Sequence, residues 1–306
     1  MNFLGIILSF YLIIVGFCWW GNGHMIIVEI ATRDLTEEQK ELLMNILDTW
    51  EPYFTGDFYE ASVWPDEIKA APYNISSMSN WHFADIPYNP ENISINFTMP
   101  TENVMWACNQ SLNTLQSPNC TSIWAWAFQL RQLIHFVGDL HQPLHCCQMY
   151  SPLFPNGDQG GNLFLLTGDS PCNTRLHFWW DSVACEYLGV YPLDEEGIQY
   201  LIGNATSIMN KYPKIWFKDR FNDSNFDFVA WGTETYQLAV DYAYTDIVVN
   251  GTASDFYKER TIKISQQQIA LAGYRLGSIL LSIIDNVPKF PNYLFKCPSY
   301  FPPFLF

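Results

Sequence analysis

His135-Phe136-Val137-Gly138-Asp139, followed at once by Gln142-Pro143-Leu144-His145, closes a nearly unbroken apolar run that begins at Ser122. The run from Ser122 to His141 has helical periodicity and apolar residues almost all round, so it predicts a helix buried in the interior. Pro143 stops it. His135 and Asp139 stand four residues apart and therefore project from one face of that helix. Gly138 removes bulk beside them, and the turn at Pro143 lets His145 approach. A neutral imidazole and a carboxylate are the ligands that zinc accepts at about 2.0–2.2 Å. Taken alone, a buried His–Asp hydrogen bond without a metal explains the pair as well.

Outward from this stretch the same chemistry recurs. His177-Phe178-Trp179-Trp180-Asp181 repeats the four-residue His/Asp spacing. Trp81-His82-Phe83-Ala84-Asp85 and Ser62-Val63-Trp64-Pro65-Asp66 add a histidine and carboxylates in aromatic surroundings that would keep a site dry. Trp19-Trp20-Gly21-Asn22-Gly23-His24 adds a fifth histidine of the chain's six. If the chain is cleaved before Trp19, the freed α-amine, the Trp19 carbonyl and His24 form a chelating set. A lone histidine is most often a satisfied core residue, but five such placements together are hard to explain that way. The sixth, His141, reads as a residue behind the ligands or at the surface, not as a ligand.

The rest of the chain supplies the frame. Thr36-Glu37-Glu38-Gln39 is a capping box that opens a helix with Leu42, Leu43, Ile46 and Leu47 on one side. The segment from Tyr73 to Cys120, rich in Pro, Asn and Ser, reads mostly as loop. Gly157 to Asp169 carries turn signals around Leu163-Phe164-Leu165-Leu166 and reads as a small β-hairpin. Helical patterns follow at residues 176–188, 195–210, 228–243 and 254–284. The aromatic, proline-rich tail after Val287 is expected to pack on the outside. The sum is a mainly α single helical domain with a minor β-hairpin.

The chain has 306 residues, 49% hydrophobic and 17% aromatic, enough for a sizeable core and far from a disordered composition. The net charge of −16 excludes a regulator that tracks a nucleic-acid backbone with a basic face. Zinc ions would offset part of that charge where a phosphate must sit. Phe3 to Phe17 is uncharged, long enough for a signal peptide and short for a membrane span. Gly16 and Cys18 place the cut before Trp19, giving a signal peptide at 1–18 and a catalytic domain at 19–306. No later run reaches 18 uncharged apolar residues, so no second span is expected. Secretion favours disulfides. Cys108 and Cys120 flank a short polar loop and are the expected pair, and the adjacent Cys146 and Cys147 are expected to bond to different partners. Eight N-x-S/T sequons, at Asn74, Asn92, Asn96, Asn109, Asn119, Asn204, Asn222 and Asn250, fit a glycosylated surface.

Between Trp19 and Asp181 the motifs occur in a familiar order: a Trp with His five later, W-P-D, W-H-F-x-D, H-F-x-G-D-x-x-Q-P-L-H, G-D-x-G-G-N and L-H-x-x-W-D. In this the chain resembles the S1/P1 nuclease family, which shares its helical fold with bacterial zinc-dependent phospholipase C. The resemblance implies three zinc ions. One would be held by Asp66, His82, His135 and Asp139. The second would be held by the α-amine and carbonyl of Trp19, His24 and the bridging Asp139. The third would be held by His145, His177 and Asp181. It also implies that Phe83 stacks on a base, that Asp85 and Asn162 contact the nucleotide, and that Asp66 helps to orient the attacking water. Lys69 stands where the family often carries an Arg that meets phosphate; a Lys keeps the charge and loses the bidentate fork.

The activity so implied is a secreted zinc endonuclease that cuts single-stranded DNA and RNA to 5′-phosphorylated products, using a metal-activated hydroxide. A monomer is expected, without stable membrane association after signal cleavage, outside the cell or in a lysosomal or vacuolar lumen. The alternatives are a zinc-dependent phospholipase C and a zinc-binding or adhesion protein without activity. Asp181, where the phospholipase branch tends to use Glu, favours nucleic acid together with Phe83 and Asp85.

Overall fold

The computed structural model of the chain describes residues 19–287 except 51–55, 71, 118, 121, 173, 188–192 and 223. The expected signal peptide at 1–18 and the tail after Val287 lie outside the described residues. Nine α-helices are described: α1 (Gly21–Thr32), α2 (Glu37–Leu47), α3 (Phe58–Glu67), α4 (Val104–Gln116), α5 (Ile123–Asp139), α6 (Leu176–Asp181), α7 (Glu195–Lys211), α8 (Phe228–Leu238) and α9 (Asp255–Ile283). The mainly helical fold read from the sequence is the one observed.

Helix starts follow local chemistry. The Thr36 hydroxyl accepts from the Gln39 N–H while the Gln39 side chain takes the Thr36 N–H, completing the capping box. Asp57, Asn103, Ser122, Asp194, Asp227 and Ser254 cap α3, α4, α5, α7, α8 and α9 by accepting first-turn N–H groups. Helix α5 is the central post. Every residue from Leu130 to Asp139 is buried, and Trp126, Leu133 and Phe136 sit in the main core. Each such side chain contributes about 1.5–3 kcal/mol by leaving water. Helix α9 lies along α1, where a Cβ at Gly277 would fall 2.8 Å from the Ala31 carbonyl oxygen. The segment Asp255–Asn286 is long and apolar enough to cross a membrane, but it is mostly buried inside the protein and serves as a core helix.

Three readings are corrected. Most of Tyr73–Cys120 is irregular as expected, but its last part holds helix α4, whose buried face is formed by Val104, Met105, Ala107, Cys108, Ser111, Leu112 and Leu115. Its Asn, Gln and Ser residues, which resembled loop signals, belong to a polar-rich helix. The β element is a parallel pair, not a hairpin. Strand β1 (Ile86–Tyr88) pairs with β2 (Cys147–Met149), Ile86 opposite Cys147 and Tyr88 opposite Met149. The Leu163–Leu166 stretch makes only isolated bridges, an antiparallel one from Leu165 to the nearby Arg175 and a parallel one from Leu166 to the distant Gly251. Among the described residues one disulfide joins Cys172 to Cys185, while Cys108, Cys120, Cys146 and Cys147 are free. Helix α4 carries the chain about 12 Å away from Cys108 before it turns, and Cys108 faces the core while Cys120 is partly exposed.

Candidate metal centre

The ends of four helices and two short turns meet at one place beside α5. His24 comes from α1, Asp66 from α3, His135 and Asp139 from α5, and His177 and Asp181 from α6. His82 ends the 3-10 turn Ser79–His82, and His145 ends the turn Pro143–His145. The parallel strands explain why those two turns are neighbours: β1 follows the first and β2 follows the second. The Ala84 N–H donates to the His145 carbonyl at 2.7 Å, which ties the two turns together next to the strands.

Asp139 lies at the centre and is fully buried. Its Oδ2 is 2.9 Å from His82 Nδ1 and 3.1 Å from His135 Nε2, and its Oδ1 is 3.3 Å from His24 Nε2. Asp66 approaches the same imidazoles, with Oδ1 3.4 Å from His82 Nδ1 and 3.6 Å from His135 Nε2. His177 Nε2 stands 3.3 Å from Asp181 Oδ2, and His145 Nε2 stands 3.7 Å from Asp181 Oδ1. Three sets of potential ligand atoms each fall within 4.8 Å: His24 with Asp66 and His135, His82 with His135 and Asp139, and His145 with His177 and Asp181. Each of the last two is drawn from residues that the resemblance assigned to one site. In the first, His24 groups with Asp66 and His135 as well as lying beside Asp139, so the first two sites form one continuous cluster. The rings of His24 and His135 stack at 4.1 Å.

The donor chemistry fits a metal ion. The Nδ1 atoms of His135, His145 and His177 donate to the carbonyls of Ser62 (2.6 Å), His82 (2.9 Å) and Gly160 (2.7 Å). That leaves each Nε2 as a lone pair when the ring is neutral, the arrangement usual for metal-bound imidazole. His135 Nε2 then faces His82 Nδ1 at 3.1 Å, and Asp139 Oδ2 lies 2.9 Å from the same His82 nitrogen, so the three atoms converge where one ion could be shared. Both ring nitrogens of His24, Asp139 Oδ1, His145 Nε2 and Asp181 Oδ2 are buried and make no hydrogen bond within the protein. Buried polar atoms are normally satisfied, so these orphans point to a partner outside the chain. Gly138 provides the room: a Cβ there would fall 2.6 Å from His24 Nδ1.

Charge is finely divided across the cluster. Burial pushes His24 and His177 below the ordinary imidazole value, and burial with the Lys69 charge lowers His82 to about 4. Burial opposes charge on His135 and His145 as well, but the nearby carboxylates, chiefly Asp139, outweigh it and raise both. Burial likewise opposes ionisation of Asp66 and Asp139, yet Lys69 with His135 and His82 holds Asp66, and His135, His145 and His24 hold Asp139, below the usual carboxylate range.

The expected substrate residues border this cluster. Lys69 Nζ is 2.6 Å from Asp66 Oδ1, so its charge already serves a carboxylate beside the metal ligands. Phe83 follows His82 and is half-buried. Asp85 has a positive φ of 51° and is half-buried. Burial, with the charge of Asp158 second, pushes its carboxyl up to about 6. Asn162 donates to the Gln159 carbonyl at 3.0 Å, on the loop whose Gly160 carbonyl orients His177. Trp19 is held at the residue that precedes Asp139: its indole N–H donates to the Gly138 carbonyl at 3.0 Å. The next residue's N–H donates to the Asp181 carbonyl at 3.1 Å.

Of the two positions read for His141, the structure decides against the surface. The residue is fully buried, donating from Nδ1 to the Val137 carbonyl at 2.7 Å and accepting at Nε2 from Arg275 at 2.8 Å. Residues that motif reading left without a role include Gln142, whose side chain meets Asp181, and Asp158, which accepts from the Met149 N–H and the Tyr244 hydroxyl. Both stood inside quoted motifs, which was the available signal.

The S1/P1 nuclease family model matches residues 19–285. The chain belongs to the S1/P1 nuclease family. Endonuclease 4 of Arabidopsis thaliana is 26% identical, covering 89% of this chain and 91% of that protein. Nuclease P1 of Penicillium citrinum is also 26% identical, over 85% and 96% of the two chains. Nuclease S1 of Aspergillus oryzae is 24% identical, over 88% and 93%. This S1/P1 family member is therefore a nuclease by family, with His/Asp groups suited to metal, and the nuclease relatives weigh against the phospholipase C alternative.

Proposed function

We propose that the chain is a zinc-dependent endonuclease that hydrolyses phosphodiester bonds of single-stranded DNA and RNA to 5′-phosphorylated products at a three-zinc centre. The observation that carries this is the convergence of buried, hydrogen-bond-free imidazole and carboxylate atoms from His24, Asp139, His145 and Asp181. Asp66, His82, His135 and Asp139 would hold one ion. The freed α-amine and carbonyl of Trp19, with His24 and Asp139, would hold the second, and His145, His177 and Asp181 the third. N/O ligation with no thiol suits zinc. Bound zinc supplies a nucleophile at neutral pH and takes up charge that develops on phosphoryl oxygens.

The chain's own groups do the rest. Asp66 accepts a proton-side hydrogen bond from the attacking water and aligns it with phosphorus. Lys69 places a point charge near the phosphate while it compensates Asp66. Phe83 offers a ring face to one base, and Asp85 and Asn162 hydrogen-bond the edge of the nucleotide. Stacking contributes about 1–3 kcal/mol per base and accepts any base. A duplex hides those faces, which explains the preference for single strands and the breadth across DNA and RNA.

Residues 1–18 are read as a removed signal peptide, and the mature chain as a monomer without membrane anchorage in an oxidising lumen or outside the cell. The Cys172–Cys185 disulfide supports such a compartment. So does exposure of the sequon residues Asn74, Asn92, Asn96, Asn109, Asn119, Asn222 and Asn250.

The test is digestion of single-stranded DNA, RNA and duplex DNA with and without chelator, with end analysis of the products and N-terminal sequencing of the mature protein. Chelator-sensitive cleavage of both single strands, 5′-phosphate ends and a Trp19 terminus are expected. Undiminished cleavage in chelator would overturn the zinc reading. Phe83→Ala is expected to raise KM about tenfold with a smaller loss of kcat, and an unchanged KM would remove the stacking role.

A further inference from the structure

Gln142 is 0% exposed and has no task in the reaction just described. Its Oε1 accepts the Leu144 N–H at 2.5 Å, capping the turn that carries His145. Its Nε2 donates to Asp181 Oδ1 at 2.6 Å. The amide orientation is dictated by its partners, because a backbone N–H only donates and a carboxylate only accepts. One side chain thus joins the His145 turn to helix α6, where His177 and Asp181 reside. It also divides the two oxygens of Asp181: Oδ1 is taken by Gln142, whereas Oδ2, 3.3 Å from His177 Nε2, is buried and makes no hydrogen bond. The Nε2 of His145 is in the same condition.

We propose that Gln142 is the positioning residue of the third ion site, committing Asp181 to bind through Oδ2 alone. This rests on the reading that His145, His177 and Asp181 hold an ion. A carboxylate with both oxygens free can rotate and chelate, filling two coordination positions. With Oδ1 engaged, the protein supplies three ligand atoms, two imidazole nitrogens and one oxygen. Catalytic zinc sites have that count, with a position left for substrate. Partners that orient ligands in this way commonly alter metal affinity 10- to 100-fold when removed.

The experiment uses the mature, zinc-loaded protein and two variants. Gln142→Met keeps the side-chain length without a donor. Gln142→Glu keeps an acceptor for the Leu144 N–H but places a carboxylate against Asp181. Zinc per chain is measured by metal analysis after dialysis against graded chelator, alongside far-UV circular dichroism. The expected result is that both variants hold two zincs like the parent protein and release the third at a 10- to 100-fold lower chelator strength. Retention of all three at parental affinity in either folded variant would overturn the proposal. So would joint loss of all three zincs, which would mark Gln142 as a general structural residue. If the parent protein itself binds only two zincs, the third-site reading fails instead, and the two failures are told apart.

Discussion

Asp139 is the residue on which the centre turns. Its two oxygens reach His24, His82 and His135 within 3.3 Å, so on the proposed reading replacing it would affect two of three sites at once. Asp139→Asn is expected to lower zinc content from three ions to one per chain and activity by about 100-fold or more. Metal analysis of the purified variant checks this, and full zinc content would refute a bridging role. Asp158 makes a different prediction. Burial pushes its carboxyl up to about 6 even though the Met149 N–H and Tyr244 hydroxyl pull the other way. A carboxyl raised above its unfolded value is bound to its proton more tightly in the folded chain. Its contribution therefore declines as pH rises from about 4 through 6. Asn at this position keeps an acceptor for Met149 and a polar partner for Tyr244 without the charge. Asp158→Asn should gain stability on the parent over that window, by at most about 3 kcal/mol. Urea unfolding at several pH values reads it, and a difference independent of pH would count against it.

At the scale of elements, helix α5 and its neighbours show why rigidity matters. His135 and Asp139 sit on one buried face, and Gly138 on the same turn leaves space for His24 from α1. Gly138→Ala would thrust a methyl group to within 2.6 Å of His24 Nδ1. The expected cost is about 1–3 kcal/mol of stability, with loss of zinc from the site that His24 shares with Asp139. Thermal unfolding and metal analysis test both, and a variant with parental Tm and three zincs would contradict the contact. The helices around this post were mostly legible in the sequence, because caps such as Thr36, Ser122 and Ser254 and the 3.6-residue period are local signals. Helix α4 was not, because its outward face carries Asn109, Gln110 and Asn113, residues that also mark loops. The strand pair was missed for another reason. Its partners, Ile86–Tyr88 and Cys147–Met149, are three residues long and far apart in the chain, too short for an alternating pattern to register.

Across the whole molecule, an acidic chain of net charge −16 gathers five imidazoles and three carboxylates in largely buried positions. Without ions that cluster holds orphaned polar atoms and several groups whose charge states oppose burial. On the proposed reading, zinc binding is thereby linked to folding. A site bound at 1,000 times its Kd adds about 4 kcal/mol. Chelation should accordingly lower Tm by on the order of 10 °C or more, in calorimetry with and without chelator. An unchanged Tm would mean that the buried cluster is stable as a hydrogen-bonded core.

The amino-acid order alone determined the helical class, most helix starts and the identity of the converging histidines and aspartates. Those depend on spacing within a few residues, which the chain carries openly. Only the tertiary structure decided that β1 and β2 run parallel, that Cys172 meets Cys185, that His141 faces Arg275 and that Gln142 reaches Asp181. Each is a meeting of groups 13 to 134 residues apart, or of strands from separate motifs. Such meetings follow from how helices pack around α5, and no local pattern encodes that packing.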